Sequence, residues 1–99
     1  MEIHVSSSAV SDLEGIQEYY KNEGVPNVGN DLVSSIIVHI ETLGIHPDIG
    51  RKVPEFDDEK IRELIHAPFR IVYLRSQAAV HVVRVWRSER LLVMPEPEI

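Results

Sequence analysis

Hydrophobic residues recur at a helical spacing in the first half of the chain. Between residues 8 and 23 they are three or four positions apart, at Val10, Leu13, Ile16 and Tyr20. This spacing places them on one face of an amphipathic helix. The serines at 6–8 supply N-cap residues and Gly24 a C-cap, so the pattern predicts a first helix over residues 8–23.

A second apolar stripe follows after a few residues. It begins at Pro26, which suits the first turn of a helix, and ends before Gly44 and Pro47. Its apolar members are Val28, Leu32, Ile36, Ile40 and Leu43. The stripe predicts a second helix of roughly 18 residues. Because the connection is short, the two helices should form an antiparallel hairpin.

Beyond Pro47 the spacing of hydrophobic residues changes to about two, which indicates β-strands. A short strand at 2–5 precedes the first helix, and four strands follow the second helix at 50–56, 61–66, 69–75 and 80–86. The segment 50–56 contains a proline, which is typical of an edge strand. We predict an α+β fold of order β-α-α-β-β-β-β, with the helical hairpin on one face of a small antiparallel sheet.

The two strongest strands carry arginines on one face. Alternation along residues 69–75 separates Ile71 and Tyr73 from Arg70. Alternation along residues 80–87 separates Val83, Val85, His81 and Arg87 from Val82, Arg84 and Trp86. We expect Arg70 and Arg84, together with Trp86, to lie on the face of the sheet that the helices leave uncovered.

Length and composition indicate one soluble domain. The chain has 99 residues, 43% of them hydrophobic and 26% charged. No apolar stretch approaches the ~20 residues that span a bilayer, the N-terminus does not resemble a secretory signal, and there is no cysteine. We therefore expect a cytoplasmic protein that makes no membrane contact. Its single domain should cover residues 1–94, with a loose tail at 95–99.

The charge is unevenly distributed. The net charge of −6 argues against a general nucleic-acid binder, which needs a basic footprint. Residues 61–90 nevertheless carry six arginines against Glu63 and Glu89. Arginine has a planar donor fork that suits phosphates and carboxylates, so this segment is the natural place for a functional surface. The five histidines form no H-E-x-x-H arrangement, so we expect neither a metal nor a cofactor.

Several segments in this order resemble the RelE/ParE superfamily of bacterial toxins, and the resemblance is closest to ParE-like members. They are AVSDLEGIQEYY at 9–20, LGIHPDIGRKVPE at 43–55, IREL at 61–64, FRIVYL at 69–74 and VVRVWRSER at 82–90. The resemblance implies two helices on a small, curved antiparallel sheet. It also implies a toxin silenced by a cognate antitoxin whose C-terminal segment wraps around it, with a higher-order complex as a further possibility. RelE-like members cut mRNA on the ribosome, whereas ParE-like members inhibit DNA gyrase.

Cleavage of mRNA requires a base, an acid and cations for the developing phosphorane charge. The resemblance makes Arg70 the arginine of the RelE-like strand. Arg87 stands where similar proteins often carry histidine, and no tyrosine follows Tyr73, so the usual proton-transfer group is missing. Glu55 and His66 are possible substitutes. For a nuclease, the catalytic candidates are Arg70, Arg87, Arg90, Glu63 and His81.

Inhibition of gyrase requires only a complementary surface, and arginine and tryptophan dominate binding hot spots. For binding to the target or the antitoxin, the candidates are Arg62, Arg70, Arg84, Trp86, Arg87 and Arg90. Our hypothesis is a type II toxin that inhibits gyrase by binding. The alternatives are a ribosome-dependent mRNA endonuclease and a non-toxic family member that still binds an antitoxin.

Overall fold

The computed structural model describes residues 1–88 and contains two helices on a five-stranded sheet. The predicted order of elements is confirmed. The elements are β1 (Glu2–Val5), α1 (Ser7–Asn22), α2 (Pro26–Glu41) with a 3₁₀ turn (Thr42–Gly44), β2 (Arg51–Lys52), β3 (Ile61–His66), β4 (Phe69–Arg75) and β5 (Ala79–Arg87). The tail predicted at 95–99 lies outside the described residues.

Both helices begin and end where local chemistry predicts. The side chain of Ser6 caps α1 by accepting a hydrogen bond from the Ala9 N–H at 3.0 Å. Gly24 follows α1 with φ +81°, a conformation that glycine adopts without steric cost. Pro26 opens α2. Within the described residues, neither helix has the length and apolar character needed to cross a membrane.

The sheet has the strand order β1-β5-β4-β3-β2. β2, β3, β4 and β5 pair antiparallel in sequence, as predicted. β1 instead pairs parallel with β5, so that Glu2 lies opposite Ala79 and Val5 opposite Val82. The sheet is therefore mixed, because β1 lies beside β5 and runs in the same direction.

The predicted alternation in β5 is wrong at one point. Val72 pairs with Arg84 and Tyr73 pairs with Val82, which leaves Val83 as an extra residue in a β-bulge. Val82 and Val85 consequently both face the core beneath the helices, whereas Val83 packs on the opposite face. The sequence pattern had placed Val82 and Val85 on opposite faces, because it assumed an uninterrupted strand.

The core lies between the helical hairpin and one face of the sheet. It contains apolar residues of both helices and of the three long strands, among them Ile36, Ile40, Leu64, Ile71 and Tyr73. The other face, which we call the outer face, is partly covered by the segment after β2, where Val53 packs against Val72. β2 itself is only two residues long, much shorter than the predicted 50–56 strand.

A buried tyrosine shapes the turn before β2. The Tyr73 hydroxyl donates a hydrogen bond to the Pro47 carbonyl at 2.8 Å and accepts one from the Gly50 N–H at 3.0 Å. A Cβ at Gly50 would lie 2.6 Å from that hydroxyl and 2.7 Å from the Glu63 carbonyl oxygen. Glycine is required there because the turn passes so close to β3 and β4. Burial raises the pKa of Tyr73, which keeps the hydroxyl protonated as a donor.

Candidate functional site

Arg70 lies at the centre of a buried ion-pair network on the outer face. Its Nε donates to Glu63 Oε1 at 2.5 Å, and its two terminal nitrogens donate to the Glu55 carboxylate at 3.1 and 3.0 Å. Arg51 Nε donates to the other oxygen of Glu63 at 2.6 Å. We call Arg51, Glu55, Glu63 and Arg70 the outer-face network.

Arg70 and Glu63 of the outer-face network are removed from water and compensate each other, whereas the Arg51 side chain at its edge is 59% exposed. Arg70 is 4% exposed and Glu63 1% exposed. Burial disfavours the charged guanidinium, but its hydrogen bonds to Glu55 and Glu63 outweigh this cost and raise the pKa of Arg70. The same bond from Arg70 lowers the pKa of Glu55. Arg70 therefore ties β4 to β3 and to the segment after β2, and it presents little surface to a partner.

A cleft of about 620 Å³ lies between α1 and the last residues of β5. β1 ends at Val5, so the second half of β5 has no strand on that side. We call this space the edge cleft. Three of the predicted binding residues, Arg84, Trp86 and Arg87, line the edge cleft. The rest of the lining includes Phe69 of β4 and the α1 residues Ser11, Asp12, Tyr19 and Tyr20.

Asp12 of α1 organises the edge cleft. Its Oδ2 accepts hydrogen bonds from Arg84 Nε at 2.8 Å and from the Val85 N–H at 2.9 Å, and its Oδ1 accepts one from an Arg84 terminal nitrogen at 2.9 Å. The carboxylate thus takes the place of a neighbouring strand for one backbone donor of β5. The bond with Asp12 raises the pKa of Arg84. We did not identify Asp12 from the sequence, where it belongs only to the polar start of a helix.

Aromatic rings support both arginines of the edge cleft. The Arg84 guanidinium carbon lies 4.7 Å from the ring centroid of Trp86, and that of Arg87 lies 5.5 Å from the ring centroid of Phe69. These distances are within the range of cation–π attraction, which holds a guanidinium flat against a ring. The arginines are therefore positioned before any partner arrives.

The predicted binding residues separate into three places. Arg84, Trp86 and Arg87 meet at the edge cleft. Arg70 does pair with Trp86 across β4 and β5, yet it lies in the outer-face network, and Arg84 turns to Asp12 instead of lying beside Arg70. Arg62 donates to the Gly50 carbonyl at 2.9 Å beneath the turn before β2. Arg90 lies outside the described residues.

The candidates for nuclease chemistry are also dispersed. Glu63 is buried in the outer-face network. His81 stacks on His4 where β5 meets β1, with ring centroids 5.1 Å apart. His81 and Arg87 are six positions apart along β5, a distance of roughly 20 Å at about 3.3 Å per residue. Neither Glu63 nor His81 therefore lies beside Arg87 as a proton-transfer group.

A second concave surface lies on the helical side of the sheet. This groove of about 510 Å³ runs between β1 and the two helices, and we call it the helix groove. Its rim carries Glu14, Gln17 and Glu41. Its floor is apolar and consists of Ile3, Val5, Val10, Leu13, Val33, Ile37 and Ile40. β1 is an edge strand of the sheet, so backbone groups along the groove have no strand partner within the described residues.

Comparison with known proteins agrees with the architecture. The family model described as the ParE toxin of the type II toxin-antitoxin system, parDE, matches residues 3–92. A solved structure of a chromosomal ParDE TA system from P. aeruginosa is similar in fold, with a TM-score of 0.75 and 20% sequence identity over 88% of this chain and 95% of that chain. No curated protein matches the sequence. Since the family model covers almost all of the chain, the protein belongs to the family of ParE toxins of type II toxin-antitoxin systems.

Proposed function

We propose that this toxin inhibits DNA gyrase by binding and is neutralised by a cognate antitoxin. The observation that carries the proposal is the edge cleft, where Arg84, Trp86 and Arg87 lie together. Arginine and tryptophan are the residues most enriched in binding hot spots, and hot spots favour pockets of this kind. The proposal places the action of the toxin in the cytoplasm, where gyrase works.

The chemistry of the described residues supports binding more than catalysis. Asp12 is the carboxylate that lines the edge cleft, and it already accepts hydrogen bonds from Arg84 and from the Val85 N–H. Arginine holds its proton at neutral pH and is a poor proton shuttle. A surface that positions cations and aromatic rings, and whose carboxylate is already engaged by Arg84 and Val85, suits recognition of an acidic or aromatic segment on another protein.

The helix groove supports the second half of the proposal. Its apolar floor and acidic rim suit an amphipathic antitoxin segment with apolar residues on one side and basic residues beside them. The groove and the edge cleft both border α1, but they share none of their lining residues. An antitoxin segment in the groove would therefore bury a surface that differs from the one we assign to the target.

The decisive experiment compares two targets with the same purified protein. We expect inhibition of gyrase supercoiling and no cleavage of mRNA on programmed ribosomes. Arg87→His, which introduces the residue that similar proteins often carry, should be assayed beside it. Cleavage of mRNA by the wild type with unchanged supercoiling would contradict the proposal. Absence of both activities, together with harmless induction in cells, would favour the non-toxic alternative.

The antitoxin half has its own test. A small reading frame beside this gene, with a DNA-binding half and an amphipathic tail, should encode the partner. Ile37→Lys places a charge on the floor of the helix groove and should abolish rescue by that partner while supercoiling inhibition persists. Val38→Lys is the matched control, because Val38 is 62% exposed and lies outside the groove lining. Equal rescue of both variants would show that the antitoxin binds elsewhere.

A further inference from the structure

Two histidines from distant parts of the chain meet at the end of the sheet. His39 comes from α2 and His66 from the end of β3. Their Nδ1 atoms are 2.9 Å apart, and their rings are tilted by 49°. Each ring is carried by a regular element of the fold, so the position of the pair is set by tertiary packing.

Ser35 determines which nitrogen of His66 carries the proton. Its hydroxyl has a single proton, which it donates to the Leu32 carbonyl at 2.8 Å. With that proton engaged, we assign His66 as the donor in the contact of 3.1 Å between its Nε2 and Ser35 Oγ. In the neutral ring this leaves the lone pair of His66 on Nδ1, directed at His39.

The other histidine pair of the described residues lacks this arrangement. The rings of His4 and His81 are nearly parallel, with an interplanar angle of 14°, and stack face to face. His4 Nε2 contacts Glu2 instead of the other ring. Both pairs have ring centroids 5.1 Å apart, but only in His39 and His66 do two ring nitrogens face each other at contact distance.

We propose that His39 and His66 form a binding site for a divalent transition-metal ion of the copper or nickel class. Two nitrogens 2.9 Å apart subtend an angle of roughly 90° at an ion placed about 2.05 Å from each, a typical metal–imidazole distance. That angle fits adjacent positions of the square-planar or tetragonal geometry of Cu²⁺ and Ni²⁺. A tetrahedral Zn²⁺ would need the nitrogens about 3.3 Å apart. Binding requires that the proton on His39 Nδ1 move to its other ring nitrogen and that both rings turn so that their lone pairs converge on the ion.

The surroundings of the pair support this ligand class. A ligating histidine usually donates its second N–H to a neighbouring oxygen, as His66 does to Ser35. The described residues contain no cluster of three His, Cys, Asp or Glu side chains, so water would complete the coordination and a hard cation such as Mg²⁺ would not be favoured.

The test titrates the intact toxin with CuCl₂ and NiCl₂ by calorimetry in a non-coordinating buffer. The double variant His39→Gln/His66→Gln should lose one bound ion relative to the wild type. His81→Gln, which alters the stacked pair, should retain that ion. Electron paramagnetic resonance of the copper complex should give splitting from two nitrogens in the wild type and in His81→Gln, but not in the double variant. Equal stoichiometry in the wild type and the folded double variant, checked by circular dichroism, would overturn the proposal.

A milder variant tests the arrangement without removing a ligand. Ser35 is exposed, so Ser35→Ala should fold normally while it frees the His66 ring to change its tautomer. We expect the copper affinity to fall by about tenfold, the lower end of the usual loss for such oriented ligands. Ser34→Ala, at the neighbouring exposed serine, provides the matched control. An unchanged affinity in Ser35→Ala would contradict the positioning of His66 and with it the proposed site.

Discussion

The outer-face network and the edge cleft both centre on an arginine paired with a carboxylate, yet they differ in their access to solvent. The Arg70 side chain is 5% exposed, whereas the Arg84 side chain is 40% exposed. Arg70 lies in a central strand under the segment after β2. Arg84 lies where β5 has lost its neighbouring strand. Position relative to a sheet edge, more than residue type, therefore decides whether an arginine is buried in the fold or stays accessible at the surface.

The energetic roles follow from this difference in burial. Removing one member of a buried ion pair leaves the other charge without water and without a partner, which is costly. Removing one member of a half-exposed pair lets water solvate the charge that remains. We therefore expect mutations in the outer-face network to act on stability, and mutations in the edge cleft to act mainly on inhibition of the target.

The largest expected effect is that of Arg70→Met. It should lower the free energy of unfolding by about 3–5 kcal/mol, because Glu63 stays buried with only Arg51 to compensate it. Chemical denaturation measures this loss. Replacing both partners, Arg70→Met with Glu63→Leu, should recover part of it, since no charge is then stranded. A loss below 1 kcal/mol in the single variant would argue that the network is not buried in solution.

The second effect concerns binding. Trp86→Ala should weaken the affinity for gyrase by about 2 kcal/mol, or roughly 30-fold, because it removes the largest of the aromatic side chains that line the edge cleft. Surface plasmon resonance with immobilised gyrase measures it. Phe56→Ala is the matched control, since Phe56 is an exposed aromatic outside the cleft lining. An equal loss of affinity in both variants would indicate that the edge cleft does not bind gyrase.

Arg84→Met should reduce gyrase inhibition more than stability, whereas Arg70→Met should act mainly on stability. We expect a loss of about 1 kcal/mol in the free energy of unfolding, because the Arg84 side chain is 40% exposed and Asp12 keeps the hydrogen bond from the Val85 N–H when the guanidinium is removed. Gyrase inhibition should nevertheless fall strongly, since the variant removes one of the two described cleft arginines. Parallel denaturation and supercoiling assays test this. A stability loss as large as that of Arg70→Met would erase the distinction between the two regions.

The smallest expected effect is a dependence on acid. The pKa of Glu55 is lowered from its ordinary value of 4.5 by the hydrogen bond with Arg70, so the unfolded chain binds this proton more readily. Its contribution to stability is present above pH 4.5 and is lost as the pH falls through the lowered value. Glu55→Gln should flatten the decline in stability between about pH 5 and 3. Glu59→Gln, at an exposed carboxylate of the same segment, should leave the decline unchanged.

Much of the fold could be predicted because its signals are local. The spacing of Leu13 and Ile16, the Ser6 cap and the positive φ of Gly24 all depend on residues within a few positions of one another. The resemblance to ParE-like toxins is likewise confirmed by the family match. The bulge at Val83 could not be predicted, because alternation reports which face a residue takes only while the strand is unbroken.

The candidate site could be predicted only in part. Arginine and tryptophan in one basic segment indicated a docking surface, and Arg84, Trp86 and Arg87 do line one cleft. The prediction that Arg84 would lie beside Arg70 on the uncovered face is wrong, since Arg84 pairs with Asp12 of α1. Glu63 and Glu55 have no sequence signal that distinguishes buried partners of Arg70 from ordinary surface carboxylates.

The sequence by itself determined the helical hairpin, the order of strands along the chain and the residue types available for binding. Each of these follows from spacing, capping and composition over short stretches. The tertiary structure alone decided that Asp12 meets Arg84 across 72 residues, that Arg70 is buried and that His39 faces His66 across 27 residues. These contacts depend on strand direction, register and the bulge, which arise when distant segments pack together. A local sequence pattern identifies which side chains are present, but it does not give the distances between residues that are far apart in the chain.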